Sequence, residues 1–150
     1  MHPRAADFIK DNLTRLMHID ICRLGINTDS ILQSISPKGL ASLSPFDPRH
    51  RSEEWIRNAL SATCVEEVTL HRLIRAFGNC AYFISPNGAK RLSEKIFPLS
   101  TRTTQIPLIT NKMPASGLDR AANGKYSQLQ AYACLPFLAY AIKTNSTTNK

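Results

Sequence analysis

The stretch Phe77-Gly-Asn-Cys-Ala-Tyr-Phe-Ile-Ser-Pro-Asn-Gly-Ala-Lys-Arg-Leu92 carries the most specific local signal in the chain. Its apolar run, residues 81–84, predicts a short strand. Ser85 and Pro86 predict the start of a helix, because serine caps a first turn and proline at the first helical position has no N–H to leave unpaired. The predicted helix ends before Pro98 and has one apolar face, formed by Ala89, Leu92, Ile96 and Phe97. A strand that runs directly into an amphipathic helix is typical of α/β folds.

The patterns on either side extend this alternation of helices and strands. Helices are predicted at residues 4–17 and after the Ser52 cap, and strands at residues 19–24, 68–74, 106–110 and 128–135. Residues 34–51 contain three prolines and a glycine, which predicts a loop-rich insertion. We therefore expect an α/β layered domain over residues 1–142, followed by a disordered polar tail at residues 143–150.

Composition and charge exclude a disordered chain and indicate contact with anions. The 150 residues are 43% hydrophobic and only 20% charged, and their net charge is +8. Residues 1–67 hold 8 basic and 9 acidic side chains, whereas residues 68–150 hold 11 basic and 2 acidic ones. The second half therefore predicts a surface that meets nucleic acid, anionic lipid or a phosphate-bearing ligand; an ordinary solvated basic face is the alternative.

The four cysteines and the terminal segment favour a reducing, cytoplasmic setting. No C-x-x-C pair occurs, so a zinc site is not expected, and the apolar neighbours of Cys80 and Cys134 predict buried free thiols. Residues 1–10 lack the apolar core of a signal peptide. The longest apolar stretch, residues 131–142, is shorter than the ~20 residues that span a bilayer. Peripheral contact with an anionic inner membrane through the basic half is left open.

Known sequence signatures of catalysis are missing. The chain has no G-x-S-x-G, Walker or G-x-G-x-x-G motif and no D-x-D pair. The adjacent acids Glu53-Glu54 and Glu66-Glu67 are interpreted as helix-end residues rather than metal ligands. No metal site is therefore predicted in this chain.

The stretch 77–92 resembles the motif of glycosyltransferase family 25, the enzymes of lipopolysaccharide and lipooligosaccharide biosynthesis. The matching positions are Gly78, Ala81-Tyr82, Ile84-Ser85 and Gly88-Ala89. Two weaker similarities follow the family order: residues 19–26 resemble its Asp-apolar-apolar-x-Leu-Gly strand, and residues 118–136 resemble its Asp-helix-strand-Pro ending. The resemblance covers residues 20–139 and implies a GT-A-like fold for nucleotide-sugars.

The resemblance also implies an activity and a site. It implies inverting transfer of a sugar from a nucleotide-sugar to a hydroxyl of a cell-envelope saccharide, with Asp119 as the base that deprotonates the acceptor. An alignment anchored on residues 98–100 would place Gln105 at that position instead. Asn79, Tyr82 and Ser85 are candidates for the site wall. From the residues alone, the alternative interpretation is that Asn79 is a turn residue, Tyr82 a core residue, and Ser85 and Asp119 helix caps.

The family's N-terminal half, with its acidic metal motif, would precede Asp20, where this chain has only 19 residues. We therefore expect the C-terminal portion of such an enzyme, truncated and weakly active or inactive alone. A divalent metal such as Mn²⁺ is implied for the full-length family, and no cofactor is expected in this chain.

A basic nucleic-acid-binding or regulatory module is the alternative function. It would require aromatic side chains on which bases can stack, such as Tyr82, Phe83 and Tyr126. Because Tyr82 and Phe83 lie in a strand expected to build the core, nucleic acid is the less favoured partner.

Overall fold

The computed structural model describes residues 1–27, 30–45, 52–78, 80–99 and 103–141. Its helices are α1 (Ala5–Asp11), α2 (Leu13–Met17), α3 (Glu53–Ala62), α4 (Pro86–Ile96) and α5 (Leu118–Asn123), with short 3-10 turns at Val65–Glu67 and Tyr126–Gln128. Its strands are β1 (Ile21–Arg23), β2 (Gly25–Ile26), β3 (Ile31–Ile35), β4 (Ala41–Pro45), β5 (Thr69–Phe77), β6 (Tyr82–Ile84), β7 (Thr103–Thr104), β8 (Met113–Pro114), β9 (Ala131–Leu135) and β10 (Ala139–Tyr140).

Six of these strands form one mixed sheet in the order β4-β3-β5-β9-β1-β6. Only β1 and β9 pair in parallel; the four other pairings are antiparallel. The parallel contact continues beyond Leu24, where β2 pairs with β10. The predicted α/β layered class is confirmed in this coarse form, as a mostly antiparallel sheet with helices.

Helices cover both faces of this sheet. Successive residues of β1 and β9 point to opposite sides, so each of these strands contributes to two separate clusters. Cys22 and Cys134 pack with the N-terminal segment, and we call their cluster the thiol face: Ala5, Phe8, Leu16, Ile19, Cys22, Leu24, Leu70, Cys134 and Leu138. The opposite cluster includes residues of α4 and α5, and we call it the tyrosine face: Ile21, Ile26, Leu32, Leu73, Ala76, Ile96, Ala122, Tyr126, Leu129, Ala131, Ala133 and Phe137.

Both predicted serine caps are confirmed. The Ser52 hydroxyl accepts a hydrogen bond from the Trp55 N–H (3.1 Å), and the Ser85 hydroxyl accepts one from the Gly88 N–H (3.0 Å). The apolar face predicted for α4 needs correction, because Ala89 and Phe97 are exposed. The inward face of α4 consists of Gly88, Leu92 and Ile96, which follow the four-residue spacing of one helix side.

The single helix predicted over residues 4–17 is wrong in one respect, since it is divided into α1 and α2 at Asn12. The Asn12 backbone leaves helical geometry (φ −103°, ψ 9°), and its side-chain amide donates to the Phe8 carbonyl at 2.9 Å. Asparagine competes with the helix for backbone partners in this way, so the apolar stripe continues while the helix does not.

The loop-rich insertion predicted at residues 34–51 is also wrong over its described part. Strands β3 and β4 form an antiparallel hairpin; Pro37 and Gly39 lie in its turn, whereas Pro45 ends β4 and pairs with Ile31. Gly39 adopts φ +82°, which favours glycine, and its N–H donates to the Ser36 carbonyl at 2.9 Å. Proline and glycine therefore mark a tight reversal here rather than a long loop. Residues 46–51 lie outside the described ranges.

The remaining strand predictions meet different outcomes. The strand at 68–74 is confirmed and extends further, as β5. The strand at 128–135 is confirmed only from Ala131. Residues 106–110 are not a strand: the Ile109 N–H donates to the Ile106 carbonyl at 3.1 Å, which closes a turn. The tail predicted to be disordered, 143–150, lies outside the described residues.

None of the helices in the described ranges is long and apolar enough to cross a membrane.

Candidate functional site

The start of α4 is docked on the residue that precedes β1. The Ser85 N–H donates to the Asp20 carbonyl at 3.1 Å, and a Cβ added to Gly88 would lie 1.9 Å from that same oxygen. Only glycine fits at this close approach of two backbones. The motif residues Ser85 and Gly88 therefore hold the strand-to-helix junction. Ser85 is buried, which places it as a cap behind any substrate wall rather than in it.

The Asp20 side chain also stabilises this junction between α4 and β1. Its carboxylate is 3% exposed, accepts a hydrogen bond from the Gln130 N–H at 2.8 Å, and pairs with the Arg91 guanidinium at 3.3 Å. It thus joins α4 to the segment just before β9. Because Arg91 is itself 59% exposed, the ion pair is screened by solvent and the bond to Gln130 is the stronger constraint.

A buried arginine holds the loop that follows β5. Arg23, the last residue of β1, is 1% exposed, and its guanidinium donates to the Gly78 carbonyl. The Ser30 hydroxyl donates to the same carbonyl at 3.0 Å. Gly78 adopts φ +74° there, a conformation that favours glycine. These contacts fix the chain immediately before the predicted site residue Asn79, which lies outside the described residues.

The Tyr126 phenol brings together residues that are distant in the sequence. Burial raises its pKa above the ordinary value, the positive charge of Arg23 opposes that rise, and Tyr82 and Asp119 add to it. Arg23 and Tyr82 are directly paired across β1 and β6. Two site residues expected from the motif resemblance, Tyr82 and Asp119, therefore lie within electrostatic range of one buried phenol.

Tyr82 is not a core residue, so the core alternative for it is wrong. Its side chain is 48% exposed, because β6 is an edge strand of the sheet. Its neighbour Phe83 is half-buried and packs against the thiol face. Tyr82 thus offers part of an aromatic ring to solvent beside the Arg23–Tyr126 cluster.

Asp119 and Gln105 occupy different surroundings. Asp119 is half-buried in the first turn of α5, where its carboxylate accepts a hydrogen bond from the Arg120 N–H at 2.8 Å. The N-cap residue is Gly117, so the cap alternative for Asp119 is corrected by two positions. The Gln105 side chain instead donates to the carbonyls of the 106–109 turn. Of these two side chains, Asp119 is the charged one, and its charge adds to the rise in the Tyr126 pKa.

A cleft of about 470 Å³ opens between the last turn of α4 and the end of α5. It is lined by Lys95, Ile96, Pro98, Thr103, Thr104, Ala115, Ala121, Gly124 and Lys125. Among the described residues, its lining carries two lysines and no carboxylate. Asp119 lies one and a half helical turns from Gly124, or roughly 7 Å along the helix axis.

The described residues do not offer the Mn²⁺ site that the resemblance implies for the full-length family. Within those ranges, no three His, Cys, Asp or Glu side chains lie close enough together to hold a metal ion. All four cysteines are free. Cys134 is buried as predicted, whereas Cys80 is only half-buried, and Cys22 joins Cys134 in the core.

The sequence patterns missed Arg23 and the two cleft lysines, and they offered Tyr126 as a side chain for base stacking, which is wrong because Tyr126 is 1% exposed. Arg23 does leave a signal, because it is a cation between apolar residues of the predicted strand 19–24, where a buried charge is costly unless it has partners. Nothing comparable marks Lys95 or Lys125, which are ordinary surface residues in the sequence and acquire significance only from the cleft.

No protein-family model, curated protein or solved structure matches this chain. The similarity to glycosyltransferase family 25 therefore rests on the motif residues themselves.

Proposed function

We propose that this chain acts in the transfer of a sugar from a nucleotide-sugar to a saccharide hydroxyl, as a GT-A-like member of glycosyltransferase family 25 in lipopolysaccharide synthesis. One observation supports this most directly. Tyr82 and Asp119 are 37 residues apart and derive from separate parts of the family resemblance, yet both lie within electrostatic range of the Tyr126 phenol, and Tyr82 pairs across the sheet with the buried Arg23. Convergence of such residues at one place is expected of a binding site.

Each residue has a chemical task in this proposal. Asp119 accepts the proton of the acceptor hydroxyl as that oxygen attacks the sugar. The exposed part of the Tyr82 ring packs against the apolar face of a sugar. Arg23 is a positioning residue that fixes the Gly78 carbonyl and, through it, the loop that leads to Asn79. Such transfer would take place in the cytoplasm or at the inner membrane surface.

The test is transfer of label from UDP-galactose and other nucleotide-sugars to oligosaccharide acceptors by the purified chain, in buffer that contains Mn²⁺. We expect slow transfer, in keeping with the weak activity expected of this chain alone, and Asp119→Asn should lower it by about 10² or more, the typical contribution of a general base. Asp11→Asn, which changes an exposed aspartate at the end of α1, is the matched control and should leave the rate unchanged.

Binding of the same donors is measured in parallel by saturation-transfer NMR, because a slow enzyme still binds its substrate. Neither transfer nor binding across the donor panel would contradict the proposal. Transfer that is equally fast in Asp119→Asn would retain the activity but reject Asp119 as the base.

Nucleic-acid binding is a second candidate, and one observation favours it. Tyr82 is exposed at the sheet edge, where a base could stack, and residues 68–150 carry the net positive charge. A gel-shift titration of short RNA and DNA distinguishes this candidate. Binding at physiological ionic strength that falls steeply with salt and is weakened by Tyr82→Ala would favour it over sugar transfer. No shift at 50 mM salt would exclude it.

A further inference from the structure

The cleft between α4 and α5 has the size and composition of a small-molecule site. Its volume of about 470 Å³ lies within the range of ligand pockets, which is roughly 300–1,000 Å³. Four of its lining residues are apolar: Ile96, Pro98, Ala115 and Ala121. The others supply hydroxyls, ammonium groups or bare backbone. One wall therefore suits an uncharged ring, and the rest suits a polar group.

The charge of the cleft is one-sided. Lys95, in the last turn of α4, donates a long hydrogen bond of 3.4 Å to the neutral Gln128 side chain. Lys125 is half-buried and lies just after α5. Among the described residues, neither lysine forms an ion pair with a carboxylate. Two lysines in one concave site without a carboxylate raise the local concentration of anions.

The polar lining can complete the coordination of an oxyanion. Thr104 brings a hydroxyl donor from β7, the short strand that contacts α5, and Thr103 beside it also lines the cleft. A Cβ added to Gly124 would approach only the Thr104 hydroxyl, at 3.9 Å, so the backbone at this point is open to a ligand. Lysine binds phosphate as a point charge, and a phosphomonoester carries close to two negative charges at neutral pH. Two lysines match that charge.

We propose that the α4–α5 cleft binds a sugar phosphate, with the phosphomonoester held between Lys95 and Lys125 and the ring against the Ile96–Pro98 wall. This site stands on the cleft and does not depend on the sugar-transfer reaction proposed above. A chain that transfers no sugar could still bind this ligand, and binding by the cleft would not make the chain an enzyme.

The experiment is titration of the ¹⁵N-labelled chain with glucose 1-phosphate, followed by amide shifts. We expect shifts at Thr103, Thr104 and Gly124, and affinity that falls about tenfold in Lys125→Gln and in Lys95→Gln. Lys10→Gln, which changes an exposed lysine of α1, is the matched control and should bind as the unaltered chain does. All three lysines lie at the surface or are half-buried, so we expect the variants to fold. The amide spectrum of each variant checks this directly.

Three further probes separate the parts of the ligand. Glucose, which has no phosphate, should not bind. Inorganic phosphate should bind more weakly than glucose 1-phosphate, because it does not use the apolar wall. Glucuronate should also bind more weakly than glucose 1-phosphate, because it carries one charge. Inorganic phosphate that binds as tightly as glucose 1-phosphate would overturn the assignment of the ring. Shifts outside the cleft, no binding at 50 mM salt, or lysine variants that bind normally would overturn the site.

Discussion

The thiol face and the tyrosine face lie on opposite sides of the same two strands, β1 and β9, yet they bury different chemistry. The thiol face contains aliphatic, aromatic and thiol side chains. On the side of the tyrosine face the chain also buries Arg23, Tyr126 and Asn123, each at 1% exposure or less. A polar group is costly to bury unless it is bonded, so a fold that needs only stability has little reason to place three on one side. The comparison indicates that the tyrosine face, beside which Arg23 and Asn123 are buried, is the side of the sheet that carries the candidate site residues.

The largest expected effect comes from a substitution at the junction between α4 and the residue before β1, beside the tyrosine face. Gly88→Ala would place a methyl group 1.9 Å from the Asp20 carbonyl, and neither backbone can move without separating α4 from β1. We expect the free energy of unfolding to fall by about 4 kcal/mol or more, at the upper end for single substitutions. Urea denaturation measures this loss.

Gly124→Ala is the matched control for this substitution. Gly124 also ends a helix of the tyrosine face, but a Cβ there would meet only the Thr104 hydroxyl at 3.9 Å, an ordinary contact. Its unfolding free energy should change by less than about 1 kcal/mol. Equal losses in the two variants would show that the close approach at Gly88 does not constrain the fold.

A smaller effect separates the two bonds of the Asp20 carboxylate. Asp20→Ala leaves the Gln130 N–H without its 2.8 Å acceptor, and we expect a loss of about 2 kcal/mol. Arg91→Gln removes only the partner that is 59% exposed, and the loss should stay below about 1 kcal/mol. Thermal or urea unfolding of both variants measures the difference. An Arg91 variant as unstable as the Asp20 variant would place the constraint in the ion pair instead.

The smallest effect belongs to the thiol face and appears only in alkali. Burial raises the pKa of Cys134 to about 12 and also raises that of Cys22, with Cys134 as a further cause. A raised pKa in the folded state means that the thiol stabilises the fold fully below its ordinary pKa of 9.0, and that this contribution is lost as pH rises toward 12. Between pH 9 and 10, each buried thiol should lower the unfolding free energy by up to about 1.4 kcal/mol per pH unit.

The slope of stability against pH in this window is the measurement. Cys134→Ala should lose stability at every pH through lost packing, yet show a shallower decline than the unaltered chain between pH 9 and 10. Parallel slopes would show that Cys134 is accessible to hydroxide in the folded state.

Local chemistry was readable from the sequence, and pairing at long range was not. Ser85-Pro86 predicts the start of α4 because a cap acts within three residues. The β3–β4 hairpin was missed because β3 is stabilised by pairing with β5, about 40 residues away, while its own turn resembles a loop. The same limit applies to the candidate site. Tyr82 is exposed because β6 lies at the edge of the sheet, and the sequence of a strand does not indicate its position in the sheet.

The position of β9 in the sheet sets the order in which the chain can be assembled during translation. Strands β4, β3 and β5 can pair as one group and β1 with β6 as another, but β9 lies between β5 and β1 and is synthesised last. Ile21 and Ala131 are partners 110 residues apart, so at roughly 5–20 residues per second β1 waits about 5–20 s for β9. During that interval two unpaired strand edges face solvent, and they are the edges at which neighbouring nascent chains would associate.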